Sequence, residues 1–375
     1  MSNGSTLELL RLRDLVLQMR REANDDIVAL LEDTTLGTPG GTQYQHFGGK
    51  EKIREVRDPY FLELRKGERL LGVLCMAHRN SLFPGPAGHN AFYIRYLSVM
   101  ESLQRKVNTS NAGATTGLKS NSLVKRALRR LLDHPRALME ATGRDHAVFY
   151  AYVELENERS QDMTRNMGFV PIGKFSTHLF SRAWPRKDPR VRRMTPQDRP
   201  EVEQKLRETY AGHVLFSMQN LFYQDNYFVL EEDGELIAGL QANYVHWVIL
   251  GMPGVTGKFI MKVLPYLPLI RRMFNPQKFE FACVEGIFCR EGREKDLHRL
   301  LEHACRELGV YTAILWLDHL DPLYERLNRY GKWGLLQRIN GDTPADIIAK
   351  FVNVPDEDQE LIRNRPRYIS AFDST

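Results

Sequence analysis

Residues 157–169 read NERSQDMTRNMGF. Asn157 belongs to the residue types that cap helix starts, and Gly168 to the type that ends helices, so a short helix is predicted between them. The residues that follow, VPIGKFSTHLFSR (170–182), are typical of closing strands. The stretch therefore predicts the end of an α/β unit near the middle of the chain.

Two hairpin-like stretches repeat in register on either side of this segment. YFLELRKGERLLG (60–72) and YFVLEEDGELIAG (227–239) share Tyr-Phe, Gly-Glu and a final Gly without a gap. A helical stretch precedes each, at 13–33 and 195–210, and a strand, a basic amphipathic helix and a further strand follow. The sequence thus predicts two tandem halves, each with the element order β-α-β-β-β-α-β-α-β.

A charged stretch with two prolines, AWPRKDPR (183–190), separates these halves and is typical of a linker. We therefore expect two domains, 1–185 and 190–375, which suits a chain of 375 residues. An apolar, basic insert at about 247–276 interrupts the second domain.

Composition narrows the function classes. The net charge of +5 suits an anionic ligand or surface and gives little support for a nucleic-acid partner. The cysteines lack metal-ligand spacing, so we expect reduced thiols, no metal and a cytoplasmic protein. The start of the chain carries no basic region followed by an apolar run, so no signal peptide is expected.

The element order and the 157–169 segment resemble the GNAT acyltransferase fold. The resemblance implies an α/β (α+β) chain of two GNAT-like domains, each a mixed, mostly antiparallel sheet flanked by helices. In that family the fourth and fifth strands splay apart, and the acyl-CoA pantetheine lies in the gap. Its pyrophosphate rests on backbone N–H groups at the next helix start. One departure is Thr164, which stands where the family has a tyrosine.

The resemblance implies that acyl-CoA binds the first domain. In the second domain the phosphate loop, CREGREKDLHRLL (289–301), has one glycine and carries Glu291, Glu294 and Asp296, which would repel phosphate. The residues expected to hold the cofactor are Val99, Gln104, Arg105, Gly113, Gly117, Lys125 and Asn157. The alternative is that the basic helix is a solvated face and that Asn157 is only a helix cap.

The family's chemistry is direct attack of an amine on a thioester, which needs a base and is helped by an acid. Glu285, in the second fourth-strand segment, is the expected base, and Glu101 is its counterpart in the first domain. Tyr324 occupies the position of the family's acid. The alternatives are solvated glutamates, a packed tyrosine, and His89 or His246 as the base.

We therefore expect an acyl-CoA-dependent N-acyltransferase that transfers a long acyl chain to the amine of a lipid or long-chain amine. The insert at 247–276 fits an interfacial segment, so peripheral contact with the inner membrane is part of this expectation, and a clasp between domains is the alternative. Other functions left open are an acetyltransferase of a small amine, an aminoacyl-tRNA-dependent Fem-type transferase and a non-catalytic binding protein.

Overall fold

The computed structural model describes residues 6–37, 41–81, 89–99, 126 and 128–371. The strands are β1 (Leu7–Leu12), β2 (Leu15–Arg20), β3 (Leu36–Gly37), β4 (Gln43–His46), β5 (Pro59–Lys66), β6 (Arg69–Ser81), β7 (His89–Val99), β8 (Ala147–Glu154), β9 (Val170–Ser181), β10 (Val191–Arg193), β11 (Tyr227–Glu232), β12 (Glu235–Gly251), β13 (Phe279–Cys289), β14 (Thr312–Asp318) and β15 (Pro344–Val352).

The helices flank this sheet on both faces. They are α1 (Asp25–Glu32), α2 (Lys50–Arg54), α3 (Arg136–Thr142), α4 (Glu158–Asn166), α5 (Arg199–Thr209), α6 (Gly254–Lys262), α7 (Pro268–Met273), α8 (Glu294–Leu308), α9 (Pro322–Tyr330), α10 (Leu335–Asn340) and α11 (Asp356–Asn364). Residues 128–133 are also helical. Among the described helices, none is both long enough and apolar enough to cross a bilayer.

All described strands belong to one mixed sheet, whose main order is β1-β2-β5-β6-β7-β8-β15-β9-β14-β13-β12-β11-β10. Most neighbours are antiparallel, and β7 with β8 and β13 with β14 are the parallel pairs of this path. The expected mixed, mostly antiparallel sheet is thus confirmed. The two predicted halves follow each other across it.

The halves exchange one strand each where they meet. The chain's last strand, β15, lies between β8 and β9 of the first half, antiparallel to both. In return, β9 pairs along its length with β14 of the second half. The division at 185–190 remains a prediction, because the sheet continues across it without a break.

The repeated stretches form the predicted hairpins, β5–β6 and β11–β12. In the second turn Asp233 and Gly234 both have positive φ, at 53° and 80°. Such a turn matches the twist of the flanking strands and favours glycine. The first turn differs, because Gly67, with φ of 56°, and Glu68 lie between the paired Lys66 and Arg69, so the two turns are one residue out of register.

The helix predicted at 13–33 is wrong over its first part. Residues 15–20 form β2, which pairs with β5 and buries Val16, Leu17 and Met19. The helix starts only after Asn24, whose side chain accepts a hydrogen bond from the backbone N–H of Ile27 at 3.0 Å. Sheet pairing therefore overrode the helical tendency of this stretch, and the cap fixed where α1 begins.

Candidate active site

The stretch 157–169 forms α4 as predicted. The side-chain oxygen of Asn157 accepts a hydrogen bond from the backbone N–H of Ser160 at 3.0 Å. Gly168, with φ of 85°, ends the helix, and Phe169 returns into the core. The hydroxyl of Thr164 donates to the carbonyl of Ser160 at 2.8 Å, so it lies along its own helix. Asn157 thus acts as a helix cap, which leaves its contact with a cofactor a prediction.

Each half has a pair of parallel strands that stop pairing part-way along their length. In the first half, pairing of β7 with β8 ends at Tyr93 and Tyr150, although β7 runs on to Val99. In the second half, pairing of β13 with β14 ends at Val284 and Leu315. Two equivalent gaps result, at the carboxyl ends of the strands.

Residues 366–371 occupy the second-half gap. Arg367 forms two hydrogen bonds to Asp318, at 2.7 and 3.1 Å, and Asp318 ends β14. Tyr368 and Ser370 contact Glu285, which lies on β13 just beyond the last parallel pair. The chain itself therefore bridges the two splayed strands where the family resemblance would place pantetheine.

Glu285 is a buried hydrogen-bonding centre, 3% exposed. Its carboxylate accepts from the Asn243 amide at 3.1 Å, the Tyr368 hydroxyl at 3.1 Å and the Ser370 hydroxyl at 2.7 Å. Hydrogen bonds to a buried carboxylate offset the loss of its hydration. This environment explains the residue structurally, and its role as a base stays a prediction.

The start of α8 carries its own ionic network. Arg190 and Arg293 both bind Asp296, and Arg326 binds Glu294 at 2.6 Å. Burial alone would raise the pKa of Asp296, but the hydrogen bonds from Arg293 and Arg190 hold that pKa below its usual value. The helix start therefore carries carboxylates, as the sequence indicated, and each of these two is paired with arginine.

The first-half counterpart of this helix start, together with its candidate residues, lies mostly outside the described residues. This applies to Glu101, Gln104, Arg105, Gly113, Gly117 and Lys125. Val99 is the last described residue of β7. We therefore describe the first-half gap by the residues that border it.

The residues that border the first-half gap are aromatic and basic. The rings of Tyr93 and Tyr150 lie 5.3 Å apart, and that of Tyr152 lies 5.0 Å from Tyr93. The Arg79 guanidinium donates to the Tyr150 hydroxyl at 3.2 Å. The first-half gap thus opens among tyrosines and a buried arginine, which the sequence shows only as alternating aromatics in two strands.

Where the halves meet, His46 of β4 pairs with Trp247 of β12, and Lys52 of α2 lies beside the same strand. The Lys52 ammonium donates to the carbonyl of Tyr244 on β12 at 2.6 Å. Lys52 and His46 are both partly exposed. These two bases lie at the seam between the halves, and we call them the inter-half cluster.

Both bases of the inter-half cluster have a lowered pKa. Burial is the main cause that lowers the pKa of Lys52 to about 8. Burial, followed by the positive charges of Arg95 and Lys52, lowers the pKa of His46 to about 3. A lysine with this pKa is partly uncharged near neutral pH, and that allows it to accept a proton. Sequence reasoning missed this group, because QYQHFGGKEK carries no recognisable motif.

Tyr324 lies on α9, far along the chain from Lys52 and His46, and it is partly buried. Its ring stacks on His319 with centroids 4.8 Å apart and meets His178 edge-on at 5.5 Å. His319 in turn shares a 2.7 Å hydrogen bond with Ser176 of β9. The structure thus places Tyr324 in a histidine cluster at the junction of the halves, and its role as an acid remains a prediction.

The remaining candidates add little. The ring of His246 packs against Phe47 with centroids 4.6 Å apart, and burial lowers its pKa. The side chain of His89 lies outside the described residues. In the described part of the chain, no group of three or more His, Cys, Asp or Glu side chains is arranged to hold a metal ion.

Comparison with solved structures identifies the fold. N-myristoyltransferase from Saccharomyces cerevisiae with bound myristoyl-CoA matches 93% of this chain and 85% of its own, with TM-score 0.55 and 10% identity. A GCN5-related N-acetyltransferase from Sphaerobacter thermophilus matches 91% and 97%, with TM-score 0.48 and 11% identity. One from Kribbella flavida matches 90% and 71%, with TM-score 0.44 and 12% identity. No family model and no curated protein matches the sequence. The likeness to the yeast structure extends over nearly the whole chain, which confirms the expected fold.

Proposed function

We propose that the protein is an acyl-CoA-dependent N-acyltransferase whose first half binds the acyl donor. The observation that carries this proposal is the contrast between the two strand gaps. Residues 366–371 already fill the second-half gap, and arginine-paired carboxylates lie at its phosphate position. The fold likeness to a transferase solved with myristoyl-CoA supports the same substrate class.

The transfer is a direct displacement. The acceptor nitrogen forms a bond to the thioester carbon, the carbon–sulfur bond breaks, and CoA leaves as the thiolate, which takes up the proton that the new amide nitrogen loses. The acceptor ammonium must first lose a proton to a base. We propose Lys52 for this role, because it lies at the seam between the halves and its pKa of about 8 is matched to an amine near neutral pH. Glu285 is the alternative base, Glu101 its first-half counterpart, and Tyr324 the proposed acid.

Substitution of each proposed base in turn decides which one takes up the proton. Lys52→Arg keeps the charge but cannot release a proton at neutral pH, so we expect a loss in turnover of about 10² to 10⁴. In the wild type the rate should rise with pH through about 8, and the variant should lose this limb. The matched control, Lys50→Arg, changes an exposed lysine on the same helix and should leave turnover unchanged. A collapse in Glu285→Gln with normal Lys52→Arg turnover would transfer the role to Glu285.

We further propose that the donor carries a long acyl chain and that the acceptor is a lipid or long-chain amine. The apolar side chains that the insert leaves exposed support this proposal. Thermal unfolding with acetyl-CoA and with palmitoyl-CoA tests the donor, and transfer to a long-chain alkylamine tests the acceptor. Stabilisation by palmitoyl-CoA alone is the expected result. Stabilisation by both donors equally would favour a small-amine acetyltransferase.

A non-catalytic binding protein is the second candidate, because the second half has lost an open gap. It predicts stabilisation by acyl-CoA without release of free thiol when any amine is added. The absence of stabilisation by either donor would contradict both readings. No described feature favours the Fem-type alternative.

A further inference from the structure

The insert of the second half exposes an unusual group of apolar side chains. Among the described residues, six of the eleven exposed large apolar side chains lie between positions 250 and 269. They are Leu250, Phe259, Val263, Tyr266, Leu267 and Leu269, and we call them the docking face. Tyr266 is 84% exposed and Phe259 is 53% exposed. Such clustering marks an interaction surface rather than ordinary scatter.

The inner side of the insert packs into the core and leaves the docking face on the outside. Ile260, Met273, Phe274 and Phe279 are buried in one core cluster on the inner side of the insert. Pro265 and Pro268 divide the insert into α6, a short 3₁₀ turn and α7. Because the inner side is packed, the outer apolar side chains cannot turn into the core.

The charge around the docking face is almost all positive. Between positions 250 and 280 the basic residues are Lys258, Lys262, Arg271, Arg272 and Lys278. The only acidic residue in this span is Glu280, which pairs with Lys278 at 3.0 Å. Apolar side chains bordered by lysine and arginine match the acyl layer and the phosphates of an anionic bilayer.

A cavity of about 430 Å³ lies beside this face. Its lining includes Tyr266 from the docking face together with Arg271, Arg272 and Lys278. Glu280 lines the cavity as well, and the Arg272 guanidinium lies over the Tyr311 ring, 6.0 Å from its centroid. The cavity thus places three cations and one carboxylate beside the docking face.

We propose that the docking face binds the surface of an anionic phospholipid bilayer. A second copy of this chain would bring the same positive charges against it, whereas anionic lipid supplies both an apolar layer and the opposite charge. The inference deepens the proposed function and rests on its lipid acceptor, since β12 carries both Leu250 of the docking face and Tyr244, whose carbonyl accepts from Lys52. The surface itself rests on geometry independent of catalysis.

Sedimentation with vesicles tests the proposal in the absence of acyl-CoA. The full chain is mixed with vesicles of phosphatidylcholine alone or of equal parts phosphatidylcholine and phosphatidylglycerol. We expect binding mainly to the mixed vesicles. The double variant Lys262→Gln/Arg271→Gln should lower the partition coefficient about 25-fold, at about fivefold for each charge. Tyr266→Ser/Leu269→Ser should lower it at least about tenfold.

Matched variants elsewhere control for loss of charge and apolar area. Leu320→Ser/Leu335→Ser removes two side chains of similar exposure, at 50% and 40%, and should bind as the wild type does. Lys174→Gln/Lys295→Gln removes two exposed charges away from the insert and should also bind normally.

Several results would overturn the proposal. They are no binding to mixed vesicles, equal binding to both vesicle types, or control variants as weak as the docking-face variants. Sedimentation equilibrium without vesicles tests self-association: a dimer abolished by Tyr266→Ser/Leu269→Ser, with vesicle binding unchanged, would assign the face to a second copy. Vesicle binding without any acyl-CoA effect would leave docking intact and refute only the acyltransferase.

Discussion

The two halves of the chain share a repeated hairpin but differ in what lies between their splayed strands. In the second half Arg367, Tyr368 and Ser370 bridge β13 and β14. In the first half the gap is bordered by Tyr93, Tyr150 and Arg79. The difference teaches that two halves with the same pair of splayed parallel strands can have one gap bridged by the chain itself and the other bordered by aromatic rings. Three substitutions test this contrast.

The largest effect is expected from Arg367→Ala. Arg367 and Asp318 are both almost fully buried, so the variant leaves an uncompensated carboxylate between β13 and β14. We expect the free energy of unfolding to fall by about 3–5 kcal/mol, measured by denaturant titration. Arg365→Ala, an exposed arginine two residues away, should change it by less than about 0.5 kcal/mol. A loss as small as that of the control would mean that residues 366–371 do not support the second half.

A medium effect is expected at the equivalent helix caps. Asn157 caps α4 in the first half, and Asp321 caps α9 in the second by accepting from the backbone N–H of Leu323 at 2.8 Å. Asn157→Ala should cost about 1 kcal/mol of unfolding free energy, and Asn157→Asp should restore it because aspartate caps equally well.

The same pair of variants tests whether Asn157 touches the acyl donor. If Asn157 is only a cap, Asn157→Asp should bind palmitoyl-CoA as the wild type does, as measured by calorimetric titration. A restored stability with weakened binding would instead place the Asn157 amide in the first-half cofactor site and sharpen the contrast between the halves.

The smallest effect is expected from Arg326→Gln at the start of α8. This arginine pairs with Glu294, and loss of such a partly exposed pair should cost at most about 1 kcal/mol. The rise in unfolding temperature caused by acyl-CoA should not change, because we propose that this helix start binds no phosphate. Arg329→Gln, which breaks a fully exposed pair with Glu325, is the control. A smaller acyl-CoA effect in Arg326→Gln alone would assign the donor to the second half.

Local signals predicted the local parts of this structure well. The Asp233-Gly234 turn, the Asn157 cap and the proline breaks in the insert each act within a few residues, so their outcomes can be read from adjacent side chains. The helix expected at 13–33 failed because pairing with β5, more than 40 residues away, decided the conformation of β2.

The candidate site was harder to predict because its partners are distant in sequence. Tyr368 and Ser370 reach Glu285 from 83 and 85 residues away, so the strand glutamate could be found but not its buried environment. Lys52 acquires its lowered pKa mainly through burial, which arises where α2 of the first half meets the Tyr244 carbonyl of the second. No spacing rule connects these positions, since the fold alone brings them together.

The exchanged strand β15 has a consequence for how the protein is made. β8 and β9, synthesised before residue 182, both hydrogen bond to a strand that ends at Val352. During synthesis from the N-terminus, the first half must therefore wait with an open sheet edge until nearly all of the second half has left the ribosome. An unpaired edge of this kind is prone to aggregation, so slow elongation or early termination would expose it longest. The exchange of strands thus links completion of the first half's sheet to synthesis of the second half.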